Sequence, residues 1–132
     1  MDDWYTKMSR LQSSAAYFLS RDVLDVEFEN GETLELYVAI TQQERSSGLS
    51  NISVLDLDGM MFFYETPSFI PFTMSNMLMD LNIAWYDQAG KLIKSGQFKA
   101  EDSTPIFCPS AFSYVIETPV GQLPGGNLKL RK

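Results

Sequence analysis

Apolar and polar residues alternate most cleanly from Met79 to Tyr86. Met79, Leu81, Ile83 and Trp85 share one side, and Asp80, Asn82, Ala84 and Tyr86 share the other. That period of two predicts a half-buried strand. It recurs from Val23, where Leu24, Val26 and Phe28 oppose Asp25, Glu27 and Glu29, and again where Leu34, Leu36, Val38 and Ile40 oppose Thr33, Glu35, Tyr37 and Ala39. Asn30-Gly31 suggests a two-residue hairpin turn, but that loop would set Val26 opposite Glu35. A three-residue loop, Glu29-Asn30-Gly31, pairs Val26 with Leu34 and Leu24 with Leu36 instead, with Gly31 as the left-handed residue of a bulge.

Ahead of Val23 the period is helical. Trp4, Met8, Leu11, Ala15 and Phe18 form one stripe over residues 3–19, with Lys7, Ser9, Gln12 and Ser13 on the opposite face. Thr41-Gln42-Gln43-Glu44 is a capping-box pattern, which starts a short helix that Gly48 ends. Met60 to Tyr64 is apolar on consecutive residues, as in a strand covered on both faces. Pro67 and Pro71 bracket a loop in which Phe69 and Ile70 need cover. Phe72–Asn76 and Met79–Tyr86 read as two strands or one bent strand, and Asp87–Gly90 as a turn into Lys91–Phe98. Lys99 to Pro109 has no clear period; Phe112, Tyr114 and Ile116 face one side of a further strand. Pro124-Gly125-Gly126 turns the chain into a last strand, with Leu128 and Leu130 inward.

The expected fold is mainly β: a compact antiparallel barrel or sandwich with an N-terminal amphipathic helix and one short helix near 41–48. The expected division is a helical extension, 1–22, and a single β-rich domain, 23–132.

Composition narrows the function. The 132 residues carry a net charge of −7, and the only basic cluster is Lys129, Arg131 and Lys132. Such a surface repels phosphate backbones and anionic lipid, so neither nucleic acid nor a membrane surface is an expected partner. The chain has no histidine and a single cysteine, Cys108. That removes the commonest general acid–base group and the usual metal ligand, and a lone cysteine leaves no intramolecular disulfide or thiolate zinc site. No apolar run reaches the length of a membrane span. The acidic start, Asp2-Asp3, does not read as a signal peptide. The expectation is a cytoplasmic protein, or one assembled into a particle such as a virion.

Spacing alone offers little chemistry. Asp56-Leu57-Asp58-Gly59 has the start of a calcium loop without its later ligands. Glu44 reads as a cap and Asp87 as a turn residue. Cys108 has no histidine to make it a thiolate. No catalytic residue, metal ligand or cofactor is predicted.

Four collinear segments carry a resemblance. They are Thr41, Glu44, Arg45, Gly48 and Leu49; Gly59-Met60-Met61-Phe62; Met74 and Asn76 followed by Leu81, Ile83, Trp85, Asp87 and Gly90; and Tyr114-Val115-Ile116-Glu117 with Gly121. Over residues 26–131 the chain resembles the domain-of-unknown-function family numbered 192. The resemblance implies a small, mostly β domain with a short helix and assigns no activity. Where that family's pattern has Trp, Lys, Thr, Pro and Asp, this chain has Phe72, Ser75, Met77, Asp80 and Asn82, so two charges are missing from its most polar stretch. The Glu44–Arg45 pair reads as a structural salt bridge, with the Arg45 stem packed across the barrel mouth.

Three functions are open on these residues. The first is a non-enzymatic structural or interaction module in a larger assembly, with a phage capsid or tail accessory as one example. Its partner, or a second copy, would dock on the stripe of Trp4, Met8, Leu11, Ala15 and Phe18. The second is a domain binding a small neutral, carbohydrate-like ligand through Arg45, Phe72, Asn76, Asn82, Trp85 and Tyr114 around a barrel mouth. The third is a carboxylate-based hydrolase, which needs acids such as Asp56, Asp58 and Glu65 to share a cleft.

Overall fold

A computed structural model describes residues 4–6, 23–53 and 55–130. Six strands form one sheet: β1 (Val23–Glu27), β2 (Thr33–Ala39), β3 (Gly59–Ser68), β4 (Leu81–Tyr86), β5 (Leu92–Phe98) and β6 (Phe112–Pro119), in the order β1-β2-β3-β6-β4-β5. One short helix, α1 (Gln42–Ser47), lies on the connection from β2 to β3. The fold is mainly β, as expected, but the sheet is mixed: β2 and β3 run parallel, joined by the α1 crossover, while the other pairs are antiparallel. Nor is it a closed barrel, because β1 and β5 are the two ends of the strand order.

The first hairpin has the three-residue loop that side-chain matching required. Val26 faces Leu34 and Leu24 faces Leu36; the Phe28 amide donates to the Glu32 carbonyl at 2.9 Å, and Gly31 has φ +92°. The capping box at Thr41 forms in both directions. The Glu44 amide donates to Thr41 Oγ1 at 3.1 Å, and Glu44 Oε1 accepts from the Thr41 amide at 3.0 Å.

The sheet has a core on each face. On one side Leu24, Val26, Phe28, Leu34, Leu36, Met61, Ala84, Tyr86, Tyr114 and Ile116 pack together, with Trp4 among them. On the other, Phe62, Leu81, Ile83, Trp85, Phe112 and Val115 pack under Leu49, Met74, Met77 and Cys108. Consecutive residues of β4 alternate between the two clusters, so the strand expected to be half-buried is buried on both sides from Ile83 to Tyr86. β6 lies between β3 and β4 and is buried from Phe112 to Thr118. Phe112 joins the second cluster rather than that of Tyr114 and Ile116, because the β3–β6 register shifts between Phe63 and Ser68.

Several segments depart from the pattern reading. β3 runs through Pro67 to Ser68; Pro67 is exposed and lies within the register shift between Phe63 and Ser68, where a missing ladder donor is tolerated. Phe69 and Ile70 are uncovered, at 63% and 54% exposed. Residues 72–80 form a tied loop with a single bridge, Phe72 to Ile106, and not a strand. The last strand shrinks to one bridge, Leu128 to Phe28.

Candidate functional site

The second core is roofed by loops, and they border an open-mouthed cavity of about 430 Å³ between α1, the far half of β3 and the loop after Pro71. Three residues singled out from the sequence, Arg45, Phe72 and Asn76, line it, as does Ser75. Two that were not singled out as site residues line it as well: Tyr64 and Glu117.

Glu117 is the unusual group. On β6 it shares the face of Val115, and its cross-strand neighbours are Met60 on β3 and Ile83 on β4. Its side chain is 1% exposed, and its Oε1 has no hydrogen-bond partner among the described residues. Burial in this apolar seat pushes its pKa up from an ordinary 4.5 to about 8, so the carboxyl is mostly neutral at pH 7.

Tyr64 faces the same cavity two residues beyond Phe62. Burial, and secondarily the nearby Glu117, push its phenol up to about 12 against the opposing pull of Arg45. The Arg45 guanidinium lies 4.6 Å from the Tyr64 ring centre. Its Nη1 donates to the Ile40 carbonyl and, at 3.1 Å, to the Phe63 carbonyl. These contacts replace the expected salt bridge to Glu44, whose carboxylate is taken by the amides of Ile40 and Thr41.

The rim is stiff. Asn51, Asn76 and Glu101 all have left-handed backbones, at φ +62°, +65° and +64°. The Asn51 amide donates to the Asn76 carbonyl at 2.8 Å, and the Glu101 amide to the Met74 carbonyl at 3.1 Å, so three loops are tied together beside the cavity. Residues held in a sparsely populated backbone region cluster at functional sites. Ser75, Ser68 and Thr73 add hydroxyls to the wall, and Phe62 and Phe72 add ring surface, with centroids 5.5 Å apart.

Other expected site residues lie elsewhere. Trp85 and Tyr114 are core: Trp85 is enclosed by Phe72 and Phe98, and Tyr114 packs against Trp4 and Phe63. Alternation puts Asn82 on the opposite side of β4 from Ile83, in a shallow groove with Ser95 and Pro124. Trp4, from the proposed partner stripe, is buried in the first core, and its Nε1 donates to the Lys129 carbonyl at 3.1 Å. Met8, Leu11, Ala15 and Phe18 lie outside the described residues. Asp56 and Asp58 bond Tyr37 and the Glu35 amide, and neither they nor Glu65 line the cavity. Among the described residues no three acidic or cysteine side chains come close enough to hold a metal ion, and no helix is long and apolar enough to cross a membrane.

The signal for Glu117 was an acid directly after the run Phe112 to Ile116, on a strand otherwise fit for burial on both faces. The signal for Tyr64 was its period-two relation to Phe62.

Residues 25–130 match the family model DUF192, described as "Uncharacterized ACR". The fold is similar to that of a protein of unknown function from Novosphingobium aromaticivorans DSM 12444, with TM-score 0.69 and 22% identity over 82% of this chain and 85% of that one. It is also similar to a protein from Sinorhizobium meliloti 1021 provisionally described as a transcription regulator, with TM-score 0.66 and 19% identity over 83% of this chain and 93% of the other. These likenesses concern the fold. None of the curated proteins matches the chain.

Proposed function

The chain belongs to the uncharacterised DUF192 family, and from its own geometry we propose that it is a binding domain for a small neutral, hydroxyl-bearing ligand held in the Glu117 cavity. The observation that carries this reading is a fully buried carboxyl whose Oε1 meets no protein donor and which forms part of a cavity wall. An unsatisfied buried polar atom costs about 1–3 kcal/mol, and a ligand hydroxyl against Oε1 would remove that cost. At about 430 Å³ the space is of ligand-pocket size. With Glu117 protonated at pH 7, the wall carries no anion; the Arg45 guanidinium keeps its charge, with Nη1 held by two carbonyls, and hydroxyls, an amide and aromatic rings make up most of the remaining wall.

The test is a screen of neutral polyols and sugars by amide chemical-shift mapping, with Asn76→Gly as the control variant. Glycine keeps the left-handed backbone at this position and removes only the amide side chain. Shifts should gather on Ser50, Ser68, Tyr64 and Asn76 and weaken about five- to tenfold in Asn76→Gly, the loss of one hydrogen bond. Shifts scattered over the surface would count against the site.

A second reading, a module within a larger assembly, draws on the exposed Phe69, Ile70 and Phe107. The native mass of the complex in extracts tests it: a free monomer would remove its support.

A further inference from the structure

A second cavity, of about 400 Å³, opens between β5, Met74 and the segment from Asp102 to Phe107, and it shares no lining residue with the Glu117 cavity. The strand pattern builds one side of it. Lys94 and Phe98 pair with Trp85 and Leu81 of β4, so both stand on the face of the second core. Gly96 lies between them; a Cβ there would meet Phe98 Cζ at 3.3 Å, so the Phe98 ring occupies the room a side chain would need. The opposite wall is fastened at both ends. The Asp102 carbonyl accepts from the Met74 amide at 3.1 Å, and Phe72 and Ile106 exchange backbone hydrogen bonds at 2.9 and 2.7 Å. The cleft is therefore preformed, and Phe107 on its wall is left largely uncovered.

Two opposite charges border this apolar space, and they are not paired with each other. Lys94 Nζ donates to the Phe107 carbonyl at 2.7 Å and lies 5.5 Å from the Trp85 ring centre. The ammonium is thus held in place, yet it meets no carboxylate among the described residues. Asp102 Oδ1 accepts from the Thr104 amide at 2.9 Å; that bond, and a second from the Thr104 side chain, hold the Asp102 carboxyl below the usual carboxylate range.

From this arrangement we propose that the cleft binds a free apolar α-amino acid as its zwitterion, with the carboxylate on Lys94, the ammonium on Asp102 and the side chain laid on Phe98, Ile106 and Phe107. Charge complementarity selects this class. A simple anion would gain Lys94 but face Asp102, and a simple cation would gain Asp102 but face Lys94. An uncharged apolar molecule would strip water from both charges and return no hydrogen bond to either. A zwitterion answers both with charge-assisted bonds, which are the stronger kind. A residue inside a peptide carries neither charge, which points to the free amino acid. The apolar walls with a few fixed polar groups are those of a small-molecule site.

The experiment titrates the full chain at pH 7 with L-phenylalanine and with three relatives that each lack one part. They are 3-phenylpropionate (no ammonium), 2-phenylethylamine (no carboxylate) and glycine (no apolar side chain). Affinity is read by calorimetry and location by amide chemical shifts. L-Phenylalanine should shift the amides of Lys94, Thr104, Ile106 and Phe107, and each relative should bind at least about tenfold more weakly, the loss of one charged hydrogen bond or of the ring contacts. Lys94→Met should weaken L-phenylalanine and 3-phenylpropionate about tenfold and leave 2-phenylethylamine no weaker. Asp102→Asn should do the reverse, weakening L-phenylalanine and 2-phenylethylamine alone. This crossed pattern separates lost recognition from lost folding, since a misfolded variant would lose every compound together; equal loss of all compounds in a variant whose amide spectrum is native overturns the assignment of the two charges. If 3-phenylpropionate or 2-phenylethylamine binds as tightly as L-phenylalanine, zwitterion recognition is overturned. If none of the four shifts the cleft amides, the site itself is overturned, and the reading of the Glu117 cavity is untouched.

Discussion

Glu117 is where a single side chain does most to set the molecule's behaviour. Its folded carboxyl keeps its proton to about pH 8, whereas an ordinary one releases it near 4.5. Between those values the folded state binds one proton more than the unfolded chain, so stability falls as the pH rises through that window and levels off above it. The slope is about 1.4 kcal/mol per pH unit. Urea denaturation of the ligand-free protein at pH 5, 6.5 and 8 should show this decline, and Glu117→Gln should flatten it and be several kcal/mol more stable than wild type at pH 8. A wild-type profile with no slope across the window would mean that water already solvates the carboxyl. Glu117 stood in the quoted family segment, and the run around it read as strand, yet its importance was not legible there. Burial of both faces of β6 follows from its place between β3 and β4, and strand order is a non-local fact that no period along the chain encodes. Trp85 and Tyr114 were misplaced for the same reason: a side chain on an alternating strand turns inward whichever face is covered, and here both are.

At the scale of elements, local chemistry was most legible where the constraint is local. The hairpin register follows from matching apolar faces, and α1 follows from Thr41 and Glu44, each satisfying the other's backbone. Thr41→Ala should cost about 1 kcal/mol in denaturant unfolding, and because Arg45 sits on that helix, chemical shifts of Tyr64 should move with it. A sharper case is Gly59, the first residue of β3. A Cβ there would lie 2.1 Å from the Glu117 carbonyl oxygen and 3.0 Å from Thr118 Cγ2, and the first of these is backbone that cannot swing away. Gly59→Ala should therefore destabilise by about 3 kcal/mol or more; a loss below about 1 kcal/mol would show that the β3–β6 approach is looser than described. The loop from Pro71 to Asp80 was the least legible element. Its shape is fixed by bonds to distant segments, the Met74 amide to the Asp102 carbonyl at 3.1 Å and the Asn51 amide to the Asn76 carbonyl at 2.8 Å, so its apolar residues read as strand although they serve as roof.

For the whole molecule, the unclosed sheet raises the question of what holds its two ends. The residues after Gly126 answer it. The Glu29 amide donates to the Asn127 carbonyl at 2.9 Å and the Lys129 amide to the Glu27 carbonyl at 3.0 Å, which fastens this segment beside β1. The Leu92 amide at the start of β5 donates to Asn127 Oδ1 at 2.9 Å, and the Leu128 amide donates to the Gly90 carbonyl, also at 2.9 Å. Asn127 Nδ2 returns to Glu29 Oε1 at 3.1 Å, and Trp4 bonds the Lys129 carbonyl. One side chain, Asn127, thus touches both ends of the strand order, and a clasp replaces the strand pairing of a closed barrel. Asn127→Ala keeps the backbone bonds but removes the link to β5, so it should cost about 1–2 kcal/mol. Its signature is in hydrogen exchange: protection at Leu92 on β5 and at Glu29 beyond β1 should fall together, because the two ends share one tether. Asn127→Asp keeps an acceptor for the Leu92 amide but turns a carboxylate toward Glu29, so β5 should stay protected while exchange quickens at Glu29. If Asn127→Ala loosens the Leu92 amide alone, the two ends of the sheet are held independently and the clasp is only a local turn.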